Sequence, residues 1–193
     1  MSGITNSRKR RTPDKNQNIR QNLLDIGYRM ICEEGIENVG VRDISEAAGV
    51  TTGTFYYYFS SKEDLLCCYA NERHEFANEF DPKNDACAYD NIMEYFLKAV
   101  SKVITTDGCE VAIHVLSQKK TNKTLFANVL SMVRDGMDSG EFVTDKKSAE
   151  DLTTFILECY RGAVFAWFRK DGEVDFDALL KDHVGIALHY FLA

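Results

Sequence analysis

Residues 41–59 read VRDISEAAGVTTGTFYYYF, and this stretch decides the fold. The spacing of its apolar residues predicts two short helices, over residues 41–48 and 52–59, with Gly49 supplying the sharp turn between them. The residues that the first helix is expected to bury are Val41, Ile44, Ala47 and Ala48. The pattern is typical of a helix-turn-helix, whose second helix enters the major groove of DNA.

The second helix carries the side chains that we expect to contact DNA. Thr51 is placed to cap its first N–H groups, and Gly53 lets the helix press against the sugar-phosphate backbone. Phe55 and Phe59 should face inward. The contacts predicted in this window are Thr51, Thr52, Gly53, Thr54, Tyr56, Tyr57, Tyr58 and Lys62, since hydroxyl, methyl and ammonium groups suit phosphates and thymine methyls. The alternative is an ordinary helical hairpin, but one helix cannot bury three consecutive tyrosines.

Charge is distributed unevenly along the chain. The net charge is −7 over 193 residues, yet residues 1–70 balance and the acidity lies in residues 71–193. Four cations stand together near the start, at Arg8, Lys9, Arg10 and Arg11. Such a basic arm suits phosphate or minor-groove contact, and a frayed, solvated tail is the alternative. The acidic total therefore does not exclude DNA binding.

Helical spacing continues along almost the whole chain, and no segment alternates strictly, so the sequence predicts an all-α fold of about nine helices. The other expected helices span residues 15–34, 60–80, 90–105, 108–119, 123–138, 146–170 and 176–192. Gly35 supplies a left-handed stop after the first of them. Ser60 and Glu63 have the spacing of a capping box at the start of the fourth.

Several classes of protein are not expected. No apolar run is long enough to cross a membrane and the N-terminus is no secretory signal, so we expect a cytoplasmic protein. Glu110 and His114, four apart, are too few for a metal site, and the six cysteines lack metal-ligand spacing. The adjacent Cys67 and Cys68 could sense oxidants. No catalytic or phosphate-cradling motif stands out, so neither an enzyme nor a cofactor is expected.

These features resemble the signature of the TetR family of bacterial transcriptional regulators. The positions that match the signature are Ile44, Ala48, Gly49, Val50, Thr51, Gly53, Thr54, Phe55, Tyr56, Phe59, Lys62 and Leu65. The resemblance covers roughly residues 19–66. Ser45 replaces the usual alanine, and Gly40 replaces a capping hydroxyl residue, which would either weaken the affinity for DNA or move a phosphate contact to Arg42.

The resemblance implies a regulator, by default a repressor, that binds palindromic double-stranded DNA as a homodimer and is released by an unknown small molecule. It implies a basic flexible arm over residues 1–14, a helix-turn-helix DNA-binding domain over 15–66 and a larger helical effector-binding and dimerisation domain over 67–193. The expected dimer contacts are Cys159, Gly162, Ala163, Ala166, Trp167, His183, Ile186, Ala187 and Tyr190. The expected effector pocket comprises Phe76, Phe80, Tyr95, Phe96, His114, Phe126, Leu130, Val133, Phe155 and Tyr160.

Two alternatives remain open at this point. One is a helical small-molecule binding protein whose helix-turn-helix is vestigial, suggested by the acidic body and by Gly40. The other is a regulator without an effector pocket that responds to a protein partner or to cysteine oxidation.

Overall fold

The computed structural model describes residues 15–74, 80–83, 85–117, 123–144 and 147–193. Its helices are α1 (Lys15–Glu34), α2 (Val41–Ala47), α3 (Thr52–Tyr58), α4 (Lys62–His74), α5 (Ala88–Tyr95), α6 (Ser101–Asp107), α7 (Cys109–Ser117), α8 (Lys123–Asp138), α9 (Ala149–Phe168), α10 (Phe176–Leu180) and α11 (Ile186–His189). The π-helical turns Phe96–Val100 and Lys181–Gly185 join α5 to α6 and α10 to α11. Across these ranges the chain forms nine continuous helical segments and no strand, which confirms the all-α prediction.

Helices α1 to α3 and the start of α4 enclose a small core, and we call residues 15–66 the reading head. Its buried apolar residues are Leu23, Leu24, Ile31, Ile36, Val39, Ile44, Phe55, Phe59, Leu65 and Leu66. Val111 of α7 belongs to the same buried cluster, although it lies far along the chain. The head therefore completes its core with a side chain from outside its own sequence.

The turn between α2 and α3 forms as predicted, with Gly49 at φ +67°, a conformation that favours glycine. The prediction for α2 was wrong at one position, because Ala47 is exposed and Ser45 is buried. The Ser45 hydroxyl donates to the Val41 carbonyl at 2.7 Å, which satisfies this buried polar group within the helix. A small side chain is thus present inside the motif, two positions earlier than expected.

The start of α4 also differs from its prediction by one residue. Ser61 caps the helix, because its hydroxyl accepts from the N–H of Asp64 at 3.1 Å. The Asp64 carboxylate accepts in turn from the N–H and the hydroxyl of Ser60, each at 2.9 Å. Asp64 therefore takes the part predicted for Glu63.

The remaining helices, in residues 67–193, form a second and larger core that we call the body. Its largest fully buried side chains include Tyr95, Phe96 and Tyr160. Glu141, in the loop after α8, accepts from the backbone N–H groups of Ala88 and Tyr89 at 2.6 and 2.8 Å and so caps α5 from a distance. No helix in the described ranges has the length and apolar character needed to span a membrane.

Candidate nucleic-acid interface and adjoining cavity

Helix α3 presents a polar aromatic edge to solvent and an apolar edge to the head. Tyr56 and Tyr57 are 58% and 76% exposed, whereas Phe55 and Phe59 are buried as predicted. Thr51 caps the helix, its hydroxyl accepting from the Thr54 N–H at 3.2 Å. Thr52 and Gly53 are exposed, and Thr54 and Tyr58 are half-buried. The predicted contact residues of α3 therefore form one accessible surface.

Gly53 has no role in the packing of the head. A Cβ atom at this position would meet only the Thr51 hydroxyl, at 3.6 Å, which is an ordinary van der Waals contact. Since the fold has room for a side chain, the need for glycine must come from something outside the head. A surface that approaches the backbone closely, such as a nucleic-acid strand, provides that reason.

The start of α2 lies beside this surface. Gly40 supplies no side-chain cap, but the Asp43 carboxylate accepts from the Gly40 N–H at 2.9 Å and replaces half of the missing cap. Arg42, the next cation along the chain, is exposed. Its guanidinium is therefore accessible to a phosphate, as the sequence predicts.

Lys62 lies elsewhere than the prediction suggested. Its ammonium group donates to the backbone carbonyls of Ile36 and Val39, at 3.2 Å for the latter, and so holds the loop between α1 and α2. Two of its three N–H donors are thus used inside the head. A phosphate contact by Lys62 stays a prediction, now restricted to the remaining N–H.

Replacing each of the two cations by methionine separates a structural role from a DNA contact. We expect Lys62→Met to lower the free energy of unfolding by about 1.5–3 kcal/mol, because charge-assisted hydrogen bonds to two carbonyls are lost. Arg42→Met should leave stability unchanged and reduce the slope of log affinity for DNA against log salt concentration by about 0.9.

Urea unfolding and DNA titrations at several salt concentrations give both quantities. A Lys62→Met protein of unchanged stability would contradict the structural role. A fall in its salt slope would add a phosphate contact to that role.

A narrow cavity lies in the body directly below the head. Its walls are Cys67, Ala70, Asn71, Ile104, Asp107, Val111, Ala112, Val115, Leu116, Leu125, Leu157, Tyr160 and Arg161. The volume is about 40 Å³, enough for about three or four waters at roughly 10–15 Å³ each. Pockets for drug-sized ligands measure about 300–1,000 Å³, so a ligand of that size would have to displace the walls.

The predicted pocket residues coincide with this cavity only at Tyr160. Phe76 lies outside the described residues. The residues that do not line the cavity are Phe80, Tyr95, Phe96, His114, Phe126, Leu130, Val133 and Phe155. Four aromatic rings instead contact one another in edge-to-face or tilted arrangements, with centroids 5.3–6.0 Å apart, and form the aromatic centre of the body core: Phe80, Tyr95, Phe96 and Tyr160. Binding of an effector by these residues stays a prediction, whereas aliphatic residues form most of the wall of this cavity.

One corner of the cavity is polar. Asp107, at the end of α6, is only 7% exposed and accepts from the Tyr28 hydroxyl at 2.7 Å. Tyr160 is almost fully buried, and burial raises the pKa of its hydroxyl above the usual range. Arg161 pairs with Glu158. The corner thus offers a carboxylate, a guanidinium and a protonated phenol beside apolar walls.

His114 does not form a metal site with Glu110. Its Nδ1 lies 2.9 Å from the carbonyl of Glu110, and its Nε2 lies 3.9 Å from the carboxylate of Glu37. The described ranges contain no group of three residues that could hold a metal ion. Cys67 is buried in the cavity wall and Cys68 is half-buried.

Comparison with known proteins places these features in a family. The sequence model of the family described as "Bacterial regulatory proteins, tetR family" matches residues 23–67. The HTH-type transcriptional repressor KstR2 of Rhodococcus jostii is 26% identical over 183 residues, 88% of this chain and 89% of KstR2. Together these matches indicate a TetR-family transcriptional regulator. The relatives are DNA-binding transcriptional regulators, which are not enzymes, in agreement with the prediction from the sequence.

Other members of the TetR family are similar over parts or all of the chain. The HTH-type transcriptional regulator AcrR of Shigella flexneri is 38% identical over 57 residues, 30% of this chain, and the match spans only 26% of AcrR. Thermus thermophilus FadR, a TetR-family repressor solved with lauroyl-CoA, has a TM-score of 0.72 at 15% identity, over 90% of this chain and 95% of FadR. Because FadR is only 15% identical, its similarity to this chain supports the fold alone.

From the resemblance to the TetR family, the contact between subunits is expected on a surface formed by α9 and by α10 to α11. Three of the expected contacts are wrong, because Ala163, Trp167 and Ala187 are buried in the body. The Trp167 indole N–H is directed to the carbonyls of Gly172 and Val174, both at 3.1 Å. These residues therefore stabilise the chain's own core.

The other expected dimer residues remain accessible. Ile186 and Tyr190 are 69% and 81% exposed, and Cys159, Gly162, Ala166 and His183 are half-buried. Phe155 and Phe165, which sequence reasoning did not place in the dimer contact, are also exposed on α9. Both phenylalanines share the helix edge of Cys159 and Gly162, and this spacing was the signal that could have predicted their exposure. We call the exposed apolar side chains of α9 and α11 the apolar face.

Proposed function

We propose that this regulator is a repressor that binds a palindromic operator as a dimer and is released when a small molecule occupies the cavity. The observation that carries the DNA contact is the exposed edge of α3, where Tyr56 and Tyr57 project and Gly53 is unused by the fold. The proposed contacts are Arg42, Thr51, Thr52, Gly53, Thr54, Tyr56, Tyr57 and Tyr58, with Lys62 through its remaining donor.

The domain division predicted from the sequence completes this proposal. The reading head corresponds to residues 15–66, and the effector-binding and dimerisation domain to residues 67–193. Residues 1–14, with Arg8, Lys9, Arg10 and Arg11, lie outside the described residues. We propose that this basic arm adds sequence-independent phosphate contacts.

The apolar face supports the dimer. Ile186, Tyr190, Phe155 and Phe165 leave large apolar side chains exposed on neighbouring helices, and an exposed apolar surface of this kind is typical of an interaction site. Dimerisation also has a physical reason, because a single seven-residue helix reads few base pairs. A twofold dimer reads two half-sites about 34–36 Å or a multiple apart.

The cavity supports a mostly apolar effector with one hydrogen-bonding group. Its aliphatic walls favour a hydrocarbon portion, and the Tyr160 hydroxyl is positioned to bond a polar atom. FadR, the structural neighbour solved with lauroyl-CoA, makes an acyl thioester a reasonable first probe. The cavity must expand to take any ligand larger than a few waters. Such a ligand would therefore bind the expanded state of the body more tightly than the closed state.

Selection of bound fragments from random duplex DNA at about 0.15 M salt tests the function, because non-specific binding is weak under these conditions. We expect an enriched inverted repeat, and lauroyl-CoA titrated into the complex tests release. Enrichment of no sequence by folded protein would overturn the proposal and favour a small-molecule binding protein.

Gly53→Ala is the sharpest variant for this test, because stability and function should change in opposite directions. Alanine lacks the conformational entropy cost of glycine, so the free energy of unfolding should rise by about 0.5–1 kcal/mol. The added methyl group would separate α3 from the sugar-phosphate backbone, so affinity for the selected DNA should fall on the order of tenfold, or about 1.4 kcal/mol.

Thermal unfolding and fluorescence anisotropy measure these two effects. Ala127→Ser, which also adds one heavy atom but at an exposed position of α8, is the control for the DNA measurement. An affinity that survives Gly53→Ala would show that α3 does not approach the DNA as proposed.

A further inference from the structure

One side chain of the polar corner belongs to the cavity and to the contact with the reading head at once. Asp107 lines the cavity from the end of α6 and is almost fully buried. Its carboxylate accepts from the hydroxyl of Tyr28, a residue of α1 that is 79 positions away in the sequence. The Tyr28 ring in turn stacks on Tyr69 of α4, with centroids 3.8 Å apart and planes 12° from parallel. The Tyr28–Asp107 hydrogen bond therefore joins a residue of the head directly to the cavity wall.

The surroundings of Asp107 leave little room for independent movement. Gly108, at φ +84°, ends α6 directly after Asp107, and α7 begins at the next residue. One turn along α7, Val111 lines the cavity and also packs in the core of the head. Because protein interiors are close-packed, a shift of one wall is transmitted to the groups that pack behind it. A displacement of the α6–α7 junction thus acts on the head through both Asp107 and Val111.

The small size of the cavity makes such a displacement necessary when a ligand enters. About 40 Å³ is available, and Tyr160 and Asp107 both line this space. Burial, with smaller contributions from Tyr95 and Asp107, raises the pKa of Tyr160. A ligand that enters this space therefore meets a wall that includes the carboxylate that holds Tyr28.

We propose that the Tyr28–Asp107 hydrogen bond transmits the occupancy of the cavity to the reading head, so that Tyr28 and Asp107 are positioning residues of the regulatory response. This inference rests on the proposed function, in which cavity occupancy controls DNA affinity. It adds the contact through which the control acts.

The test uses a side chain as the occupant, because the effector is unidentified. Ala112→Leu places three more carbon atoms at a buried position of the cavity wall. Tyr28→Phe removes the hydrogen bond to Asp107 and keeps the ring that stacks on Tyr69. Four full-length proteins, unmodified, singly substituted at each position and doubly substituted, form a double-mutant cycle.

We expect Ala112→Leu to weaken binding to the selected DNA by about tenfold in the presence of Tyr28, within the usual range of 5–150-fold for allosteric coupling. With Tyr28→Phe the same cavity substitution should weaken binding by less than about threefold, since the contact that transmits it is absent. Tyr95→Phe is the matched control, because it removes a buried hydroxyl that bonds Asn128 outside the cavity wall. It should leave the tenfold effect intact.

Equal weakening with and without the Tyr28 hydroxyl would overturn the inference, and so would a cavity substitution without effect in either background. If Ala112→Leu does not fold, Leu116→Phe fills the cavity from a half-buried position of the same helix. Amide hydrogen exchange of residues 15–59 provides a readout that needs no DNA. The exchange rates of these amides should change on cavity filling only when Tyr28 is present. If no variant binds DNA, the proposed function is overturned, and the exchange rates alone decide this inference.

Discussion

Replacement of Phe55 by alanine is expected to lower the free energy of unfolding by about 3–5 kcal/mol, the range measured for buried phenylalanines. Phe55 is fully buried at the centre of the head, with its ring centroid 5.6 Å from that of Phe59. The head has a small core, so the neighbouring side chains cannot close the cavity that the substitution leaves. Because whole domains are stable by only about 5–15 kcal/mol, DNA binding should be lost together with the fold of the head.

Urea unfolding followed by circular dichroism measures this effect. Val143→Ala, at a side chain that is 55% exposed, is the matched control and should change stability by less than about 0.5 kcal/mol. A loss below 1 kcal/mol for Phe55→Ala would be incompatible with the packing of α3 described above.

Ile186→Arg is expected to convert the dimer into a monomer and to weaken binding to the palindromic operator by about 10²–10⁴-fold. Ile186 is 69% exposed in one chain, beside the 81% exposed Tyr190. In a dimer formed through the apolar face, the introduced guanidinium would be buried without a partner, which costs several kcal/mol. The two half-sites would then be bound independently, and the gain in effective concentration from linking two reading heads would disappear.

Sedimentation velocity at micromolar protein concentration gives the oligomeric state, and anisotropy on the selected DNA gives the affinity. Ala127→Arg adds the same cation at an exposed position of α8 and should affect neither quantity. A dimer that persists with Ile186→Arg would place the subunit contact somewhere other than the apolar face.

The parts of the fold that depend on local chemistry could be predicted from the sequence. Gly49 marks the turn because a positive φ is inexpensive only for glycine, and Phe55 and Phe59 lie inward because they share one face of a short helix. The prediction failed for Ala47 and Ser45, because both are small and either could fit where two helices approach. Their periodicity did not decide between them.

The cavity and the apolar face depend on which buried surface an apolar residue meets, and periodicity carries no such information. Tyr95 and Phe96 are residue types expected in a pocket wall, but they pack in the core. Asp107 lies in the cavity wall, although no sequence pattern singled it out. Trp167 and Ala187 likewise share helices with accessible residues yet face inward. Lys62 shows the same limit for polar groups, because its carbonyl partners lie 23 and 26 residues earlier.

The buried position of Val111 has a consequence for the exchange of modules between regulators. A chimera that joined residues 15–66 to the body of another family member would separate the head from the α7 side chain that closes its core. The recipient body would need an apolar residue of similar volume at the same place, or the transplanted head would carry a void in its base. The natural unit of recombination in this regulator is therefore the head together with the surface of α7 beneath it, and a boundary drawn along the sequence alone divides that unit.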